Sequence, residues 1–265
     1  MDVANLTNAM LVDHGRVADP KRPVLTMSYE MGPSRTPPHR HVRAHLFYCT
    51  RGVFQLVTRE ATWVVPPTQG VWVPSQVIHS VTCTQPIALL SLFIDASATA
   101  GLPDQCLVVD VPVLMRELIL RAIAIGNEYP TQGPAIHLMR VILDELQQLK
   151  ASPLGLPKAK DKRLRRITET YLENPADERN LEDWAPTVGA SVRTIERQFV
   201  ADIGMTFAEW RRQVRLLEAI DRLGKGQPVT RVALDLGYQS PSAFIAMFRR
   251  TLGVPPGHYF QNTKD

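Results

Sequence analysis

The stretch Val229-Thr230-Arg231-Val232-Ala233-Leu234-Asp235-Leu236-Gly237-Tyr238-Gln239-Ser240-Pro241-Ser242-Ala243-Phe244-Ile245-Ala246-Met247-Phe248 reads as a helix, a tight turn and a second helix. A short apolar-periodic run ends at Gly237, which tolerates the positive φ that a tight turn requires. Ser240 is placed to cap the next helix, and Pro241 takes its first position, where a missing N–H costs nothing. The same plan occurs about fifty residues earlier, in Leu181-Glu182-Asp183-Trp184-Ala185-Pro186-Thr187-Val188-Gly189-Ala190-Ser191-Val192-Arg193-Thr194-Ile195-Glu196-Arg197-Gln198-Phe199. Two helix-turn-helix units are therefore expected.

Helical spacing divides each second helix into two faces. In the earlier unit Val192, Ile195 and Phe199 should pack on Trp184, Ala185 and Val188, leaving Arg193, Thr194, Glu196 and Arg197 outward. In the later unit Ala243, Phe244, Met247 and Phe248 are expected inside, with Ser242, Ile245, Ala246 and Arg249 more exposed. An outward arginine can hold a guanine edge bidentately, whereas Ile or Ala meets only a thymine methyl. With double-stranded DNA as the partner, the first unit is expected to read sequence and the second to position the protein. Pro186 is a local inconsistency, since it removes a donor inside a helix.

Between the units, Phe207 to Leu223 reads as one helix with Phe207, Trp210, Val214, Leu217 and Ile220 on its apolar side. A helix of that length spans about 25 Å, enough to hold two reading helices on one face of DNA. Arg211, Arg212 and Arg215 read as a solvated face of it. Charge follows the same division. Residues 1–157 carry 12 Lys/Arg and 12 Asp/Glu, residues 158–265 carry 18 and 14, so the net +4 of the chain lies in the later part. Phosphates would meet that part first.

Further upstream the pattern changes. Val53–Val57, Thr62–Val65 and Val71–Val73 are short β-branched and aromatic runs broken by Pro66-Pro67 and Gly70, which points to a β-barrel or sandwich. Val113–Ile125 and Ile136–Leu149 return to helical spacing and are expected as two appended helices, packed on the β-domain and available for a homodimer. Ala151-Ser152-Pro153-Leu154-Gly155-Leu156-Pro157 marks a linker, placed at 151–160. The expected organisation is α+β in two domains: a β-barrel sensor with two helices over 1–150, and an all-α domain over 161–265. At 265 residues the chain has room for both. No apolar run of membrane length is present, the start at Met1-Asp2-Val3-Ala4-Asn5 does not read as a secretory leader, and a cytoplasmic location with no membrane partner is expected. Cys49, Cys83 and Cys106 form no paired motif and read as reduced, partly buried thiols.

His39, His41 and His45 share strand parity, and His79 follows a turn at Pro74-Ser75-Gln76. Were His79 on a neighbouring strand, three or four imidazoles would converge, a donor set suited to zinc, nickel, copper or iron(II). Pocket-lining histidines without a metal are the alternative. Arg40 and Arg43 flank the set, where they would favour an anionic effector or simply be solvated.

Residues 161–262 resemble the DNA-binding domain of the AraC/XylS family. The resemblance rests on Ser191-x-Arg193-x-Ile195-x-Arg197-x-Phe199, Gly204-Met205-Thr206-Phe207-x-x-Trp210-Arg211, Val232-Ala233-x-x-x-Gly237-Tyr238-x-Ser240-x-Ser242-x-Phe244, and Phe248-Arg249-Arg250-x-x-Gly253-x-x-Pro256. It implies that Arg193, Glu196 and Arg197 face bases in one site and Pro241, Ser242, Ile245 and Ala246 in the other. Ala246 departs from the polar or basic residue often found there. Residues 24–95 resemble the cupin family, through His39-x-His41, Gly52 and Pro74-x-x-x-x-His79, with His45, Gln76 and Cys83 in place of the usual glutamate, glycine and asparagine. The order of the two is similar to AraC-type regulators with a cupin sensor, including a subgroup linked to nitroimidazole resistance. The combined resemblance implies a sequence-specific transcription regulator modulated by a small molecule or metal, with RNA polymerase as a further partner and no catalytic residues. A cupin-type metalloenzyme fused to a DNA-binding module, and an architectural DNA binder whose barrel only dimerises, are the competing readings.

Overall fold

The computed structural model describes residues 19–260. The reading of Met1–Asn5 therefore lies outside the described residues. The chain divides into two compact units, one running to Thr58 and resuming over Trp63–Pro153, the other joining Arg59–Thr62 to Leu154 and beyond.

The first unit is built on two sheets. Strands β1 (Val24–Met31), β8 (Ile87–Ile94), β3 (Ala44–Arg51), β6 (Gln69–Val73), β9 (Leu107–Asp110) and β10 (Ala151–Ser152) follow one another in that order across the larger one. All of its pairings are antiparallel. The smaller sheet orders β5 (Ala61–Val65), β4 (Phe54–Val57), β7 (Ser80–Cys83) and β2 (Ser34–Arg35). This is the expected β-rich domain, with its two sheets not closed on each other, so that barrel describes it only loosely. Strand β3 is buried from Ala44 to Cys49 without alternation, as in a strand covered on both faces.

One of those covers is a pair of helices, α1 (Val113–Ile125) and α2 (Pro134–Gln147). Met115, Ile119 and Ala122 of α1 join Ile136, Met139, Ile142 and Leu146 of α2 in a single apolar cluster with Leu46, Leu92 and Ile94 of the sheet. Each large side chain so buried contributes about 1.5–3 kcal/mol over leaving it in water. The outer sides keep Val113, Leu114, Leu120 and Val141 exposed. Among the thiols, Cys49 and Cys83 are buried and Cys106 is half-buried.

Arg43 is not solvated, contrary to one reading of the sequence, nor does it face an effector. Its side chain is fully buried and pairs with Asp95 at 3.5 Å. It also donates to the carbonyls of Arg22 and Pro23, both at 3.2 Å. Asp95 in turn accepts from the Ser97 hydroxyl at 2.7 Å and the Asp19 N–H at 2.9 Å. A buried guanidinium requires such a full set of acceptors; here they tie the entry to β1 against the end of β8.

The second unit is helical. It begins with a short extended segment β11 (Gly155–Pro157), after which the Lys158 N–H donates to the Glu60 carbonyl at 2.7 Å. Then come α3 (Lys162–Glu173), α4 (Leu181–Val188), α5 (Val192–Gln198), a π-helical turn over Phe199–Ile203, α6 (Phe207–Gly224), α7 (Val229–Asp235), α8 (Pro241–Leu252) and α9 (Pro256–Tyr259). Reciprocal capping boxes start α4, with Asn180 and Asp183, and α6, with Thr206 and Glu209. These satisfy N–H groups that have no partner within a helix. Tyr171, Trp184, Phe199, Phe207 and Trp210 form the aromatic centre of the first half; Phe244 and Phe248 hold the second.

Candidate functional sites

Both turns adopt the expected geometry. Gly189 ends α4 in the left-handed region (φ 64°, ψ 43°), and Ser191 caps α5 by accepting from the Thr194 N–H. Gly237 has φ 75°, and Ser240 caps α8 with Pro241 at the first position. On α5 Ile195 is buried, and Phe199 follows it into the core, while Arg193, Glu196 and Arg197 are exposed and Thr194 half-buried. Thr194 also shares a hydrogen bond with the Ser191 hydroxyl at 2.9 Å. On α8 Phe244, Met247 and Phe248 are buried; Ser242, Ile245, Ala246 and Arg249 are exposed, with Ser240 and Pro241 half-buried. Ala243 is exposed instead of packed, in the first turn of α8. Arg193, Arg197 and Arg249 make no ion pair among the described residues.

The arginines of α6 behave differently from the expected solvated face. Arg211 donates to the Asp177 carbonyl at 2.9 Å, and Arg215 to the Pro175 carbonyl at 2.9 Å. Arg179 stacks on Trp184 with its guanidinium 4.0 Å from the ring centroid. These cations pin the α3–α4 loop, and of the four arginines on α6 only Arg212 is exposed. The signal available in sequence was the spacing: 211 and 215 border the apolar stripe of Trp210 and Val214, where long side chains lie along the core.

The histidines converge in part. His39 and His79 form an antiparallel bridge, each donating its N–H to the other's carbonyl at 2.9 Å. The ring nitrogens of His39, His41 and His79 come within 4.8 Å of one another. His39 Nδ1 lies 2.8 Å from the Pro37 carbonyl, and His79 Nδ1 lies 2.9 Å from the Val77 carbonyl. A carbonyl only accepts, so in both rings Nδ1 carries a proton, and Nε2 is the nitrogen that can offer a lone pair to a metal. This backbone orientation of the remote nitrogen is what metal-bound imidazoles ordinarily have. Burial pushes the His79 pKa down to about 4, against the opposing Val77 hydrogen bond. Three imidazoles, two of them with Nδ1 held by a backbone carbonyl, form a donor set that fits a divalent transition metal.

His45 lies outside that set, although its parity had placed it with the others. Its ring is stacked 4.0 Å from that of Phe93 and lies 3.5 Å from that of Phe47, fully buried. Burial first, then the neighbouring histidines, hold its pKa well below the ordinary value. Gln76 replaces the expected glycine at a backbone φ of 65° and donates its N–H to the His41 carbonyl at 2.8 Å. The left-handed conformation costs a non-glycine residue about 1–2 kcal/mol, so strain sits beside the histidine set. Cys83, in place of asparagine, points its Sγ at the Gly32 carbonyl instead.

Comparison with known proteins agrees with both halves. Residues 25–152 match the AraC-like ligand binding domain, and residues 184–262 match a helix-turn-helix domain. The chain is 35% identical over 227 residues to the HTH-type transcriptional regulator NimR of Escherichia coli K12, covering 84% of this chain and 82% of that protein. The chain belongs to the AraC family of transcriptional regulators. Other similar proteins include the HTH-type regulator RipA of Corynebacterium glutamicum, 33% identical over 40% of this chain and 31% of RipA. ToxT of Vibrio cholerae aligns over 92% of this chain and all of that chain, at 12% identity and a TM-score of 0.39. This AraC-family regulator thus joins a ligand-binding β-rich domain to a DNA-binding helical one. No helix among the described residues is long and apolar enough to cross a membrane.

Proposed function

We propose that this regulator reads its operator chiefly through α5. Arg193, Glu196 and Arg197 contact base edges, Thr194 supports them, and Ser240, Pro241, Ser242, Ile245, Ala246 and Arg249 of the second unit lie along the adjoining groove. The observation that carries this reading is the capped, rigid start of α5, with its charged side chains exposed and its arginines free of ion pairs among the described residues. Selection of duplexes in vitro with the full chain supplies the operator. On it, Arg197→Ala should lose about 1–3 kcal/mol of binding and relax discrimination at one base pair. Equal loss on operator and random duplexes would assign Arg197 to a phosphate instead.

The effector site is read at His39, His41 and His79, holding zinc, nickel or iron(II); its support is the pair of hydrogen bonds that hold Nδ1 of His39 and His79 on backbone carbonyls. Metal content after zinc loading and dialysis should fall sharply in His79→Ala and persist in His45→Phe. Retention in the first variant would remove the site. The regulator is further read as a cytoplasmic homodimer, joined through the exposed apolar residues of α1 and α2 and working with RNA polymerase. A monomer by sedimentation would set the dimer aside. A non-catalytic role is supported by relatives that are transcription regulators.

A further inference from the structure

A groove between α6 and α8 is not used by the proposed base contacts. Its floor is Leu216 and Met247, and its rims carry Arg212 from α6 and Arg250 and Thr251 from α8. Both arginines are exposed, and neither pairs with a carboxylate among the described residues. Glu209, the acidic residue of the groove, accepts from the Thr206 N–H at 2.9 Å and hydroxyl at 2.8 Å, so its carboxylate closes the cap of α6. The groove thus carries two guanidinium groups against this one carboxylate.

Its position relates it to DNA. Arg250 lies one turn beyond Ala246 on α8, and residues four apart are neighbours on a helix surface. It therefore borders the face that carries Ser242, Ile245, Ala246 and Arg249. Arg212 stands across the groove on the helix that joins the two reading units. An anion entering the groove would meet the guanidinium groups of Arg212 and Arg250 and the hydroxyl of Thr251.

We infer that Arg212 and Arg250 clamp a backbone phosphate of the operator duplex, so that the second unit supplies affinity that does not depend on sequence. The inference rests on the DNA reading above and names how its weaker half contributes. It accounts for a helix whose outward positions 245 and 246 are apolar: backbone contacts fix register, and base contacts are left to α5.

The test is a salt titration of full-length protein on the selected operator and on a random duplex. Wild type should bind both with a steep loss of affinity in salt. Arg212→Gln and Arg250→Gln should each weaken both duplexes equally, by about tenfold at 0.1 M salt, and the double variant, which releases the one phosphate, should flatten the log–log slope by about 0.9. Arg212→Lys and Arg250→Lys should retain most of the slope, since a phosphate accepts a point charge. An unchanged slope in the double glutamine variant overturns the clamp. So does a loss confined to the operator, or intact DNA binding with lost transcription in vitro, which would assign the groove to a protein partner. A flat response of wild type would instead overturn the DNA reading itself.

Discussion

Arg43 lies two residues from both His41 and His45, yet its charge is turned away from them and satisfied by Asp95 and the carbonyls of residues 22 and 23. Asp95→Asn leaves that guanidinium buried without its counter-charge and should cost about 3 kcal/mol, read as a lowered denaturation midpoint at neutral pH. The pH response has a definite sign. Burial alone would raise the Asp95 carboxyl, but the Ser97 and Asp19 donors and Arg43 outweigh it and hold it below the ordinary range. A depressed carboxyl stabilises the fold at pH values above its unfolded pKa, about 3.9, and that contribution disappears as pH falls through the lower folded value. The gap between wild type and Asp95→Asn should therefore narrow in acid; a constant gap would contradict the ion pair. Residue-level roles of this kind were the least legible. Nothing in the local sequence around Arg43 announces that the chain near residue 22 returns to receive it. His45 misled for a related reason: strand β3 begins only at Ala44, and bends at Val42 and Arg43 break the alternation that would have aligned it with His39 and His41.

At the level of elements, period and caps carried most of the information. The stretch expected as a helix from Val113 forms over Val113–Ile125, and the joining helix forms over Phe207–Gly224. The two turns allow a paired comparison. A Cβ at Gly189 meets no atom within 4 Å, so Gly189→Ala carries only the left-handed backbone cost, about 1 kcal/mol. A Cβ at Gly237 also meets the Ala176 carbonyl oxygen at 3.3 Å. Gly237→Ala should therefore be the more destabilising of the two in urea unfolding, and equal costs would show that the α3–α4 loop gives way freely. That loop explains why Arg211 and Arg215 were not legible as structural: their acceptors are carbonyls of an irregular segment about forty residues away in sequence. The two sheets were recognisable as short strands, but closure depends on which edges pair, and local pattern does not encode that.

For the whole molecule, regulation requires the effector to favour one DNA-binding state over another, and such coupling is reciprocal. If zinc at the histidine set changes operator affinity by some factor, typically about 5–150-fold for regulatory coupling, operator must change zinc affinity by the same factor. Calorimetric titration of zinc with and without the selected duplex measures this directly. Identical zinc affinities alongside zinc-dependent DNA binding would mean that the metal acts at another site. One feature of the β-rich unit makes such states easy to follow. Cys49 lies in β3, the strand that carries His45 and Phe47, and burial pushes its thiol far from the reactive thiolate range. Cys106 is the half-buried counterpart. An alkylating reagent should thus reach the half-buried Cys106 before Cys49 and Cys83, which react only when the sheets open, so the chain carries its own clock for the exposure of its interior.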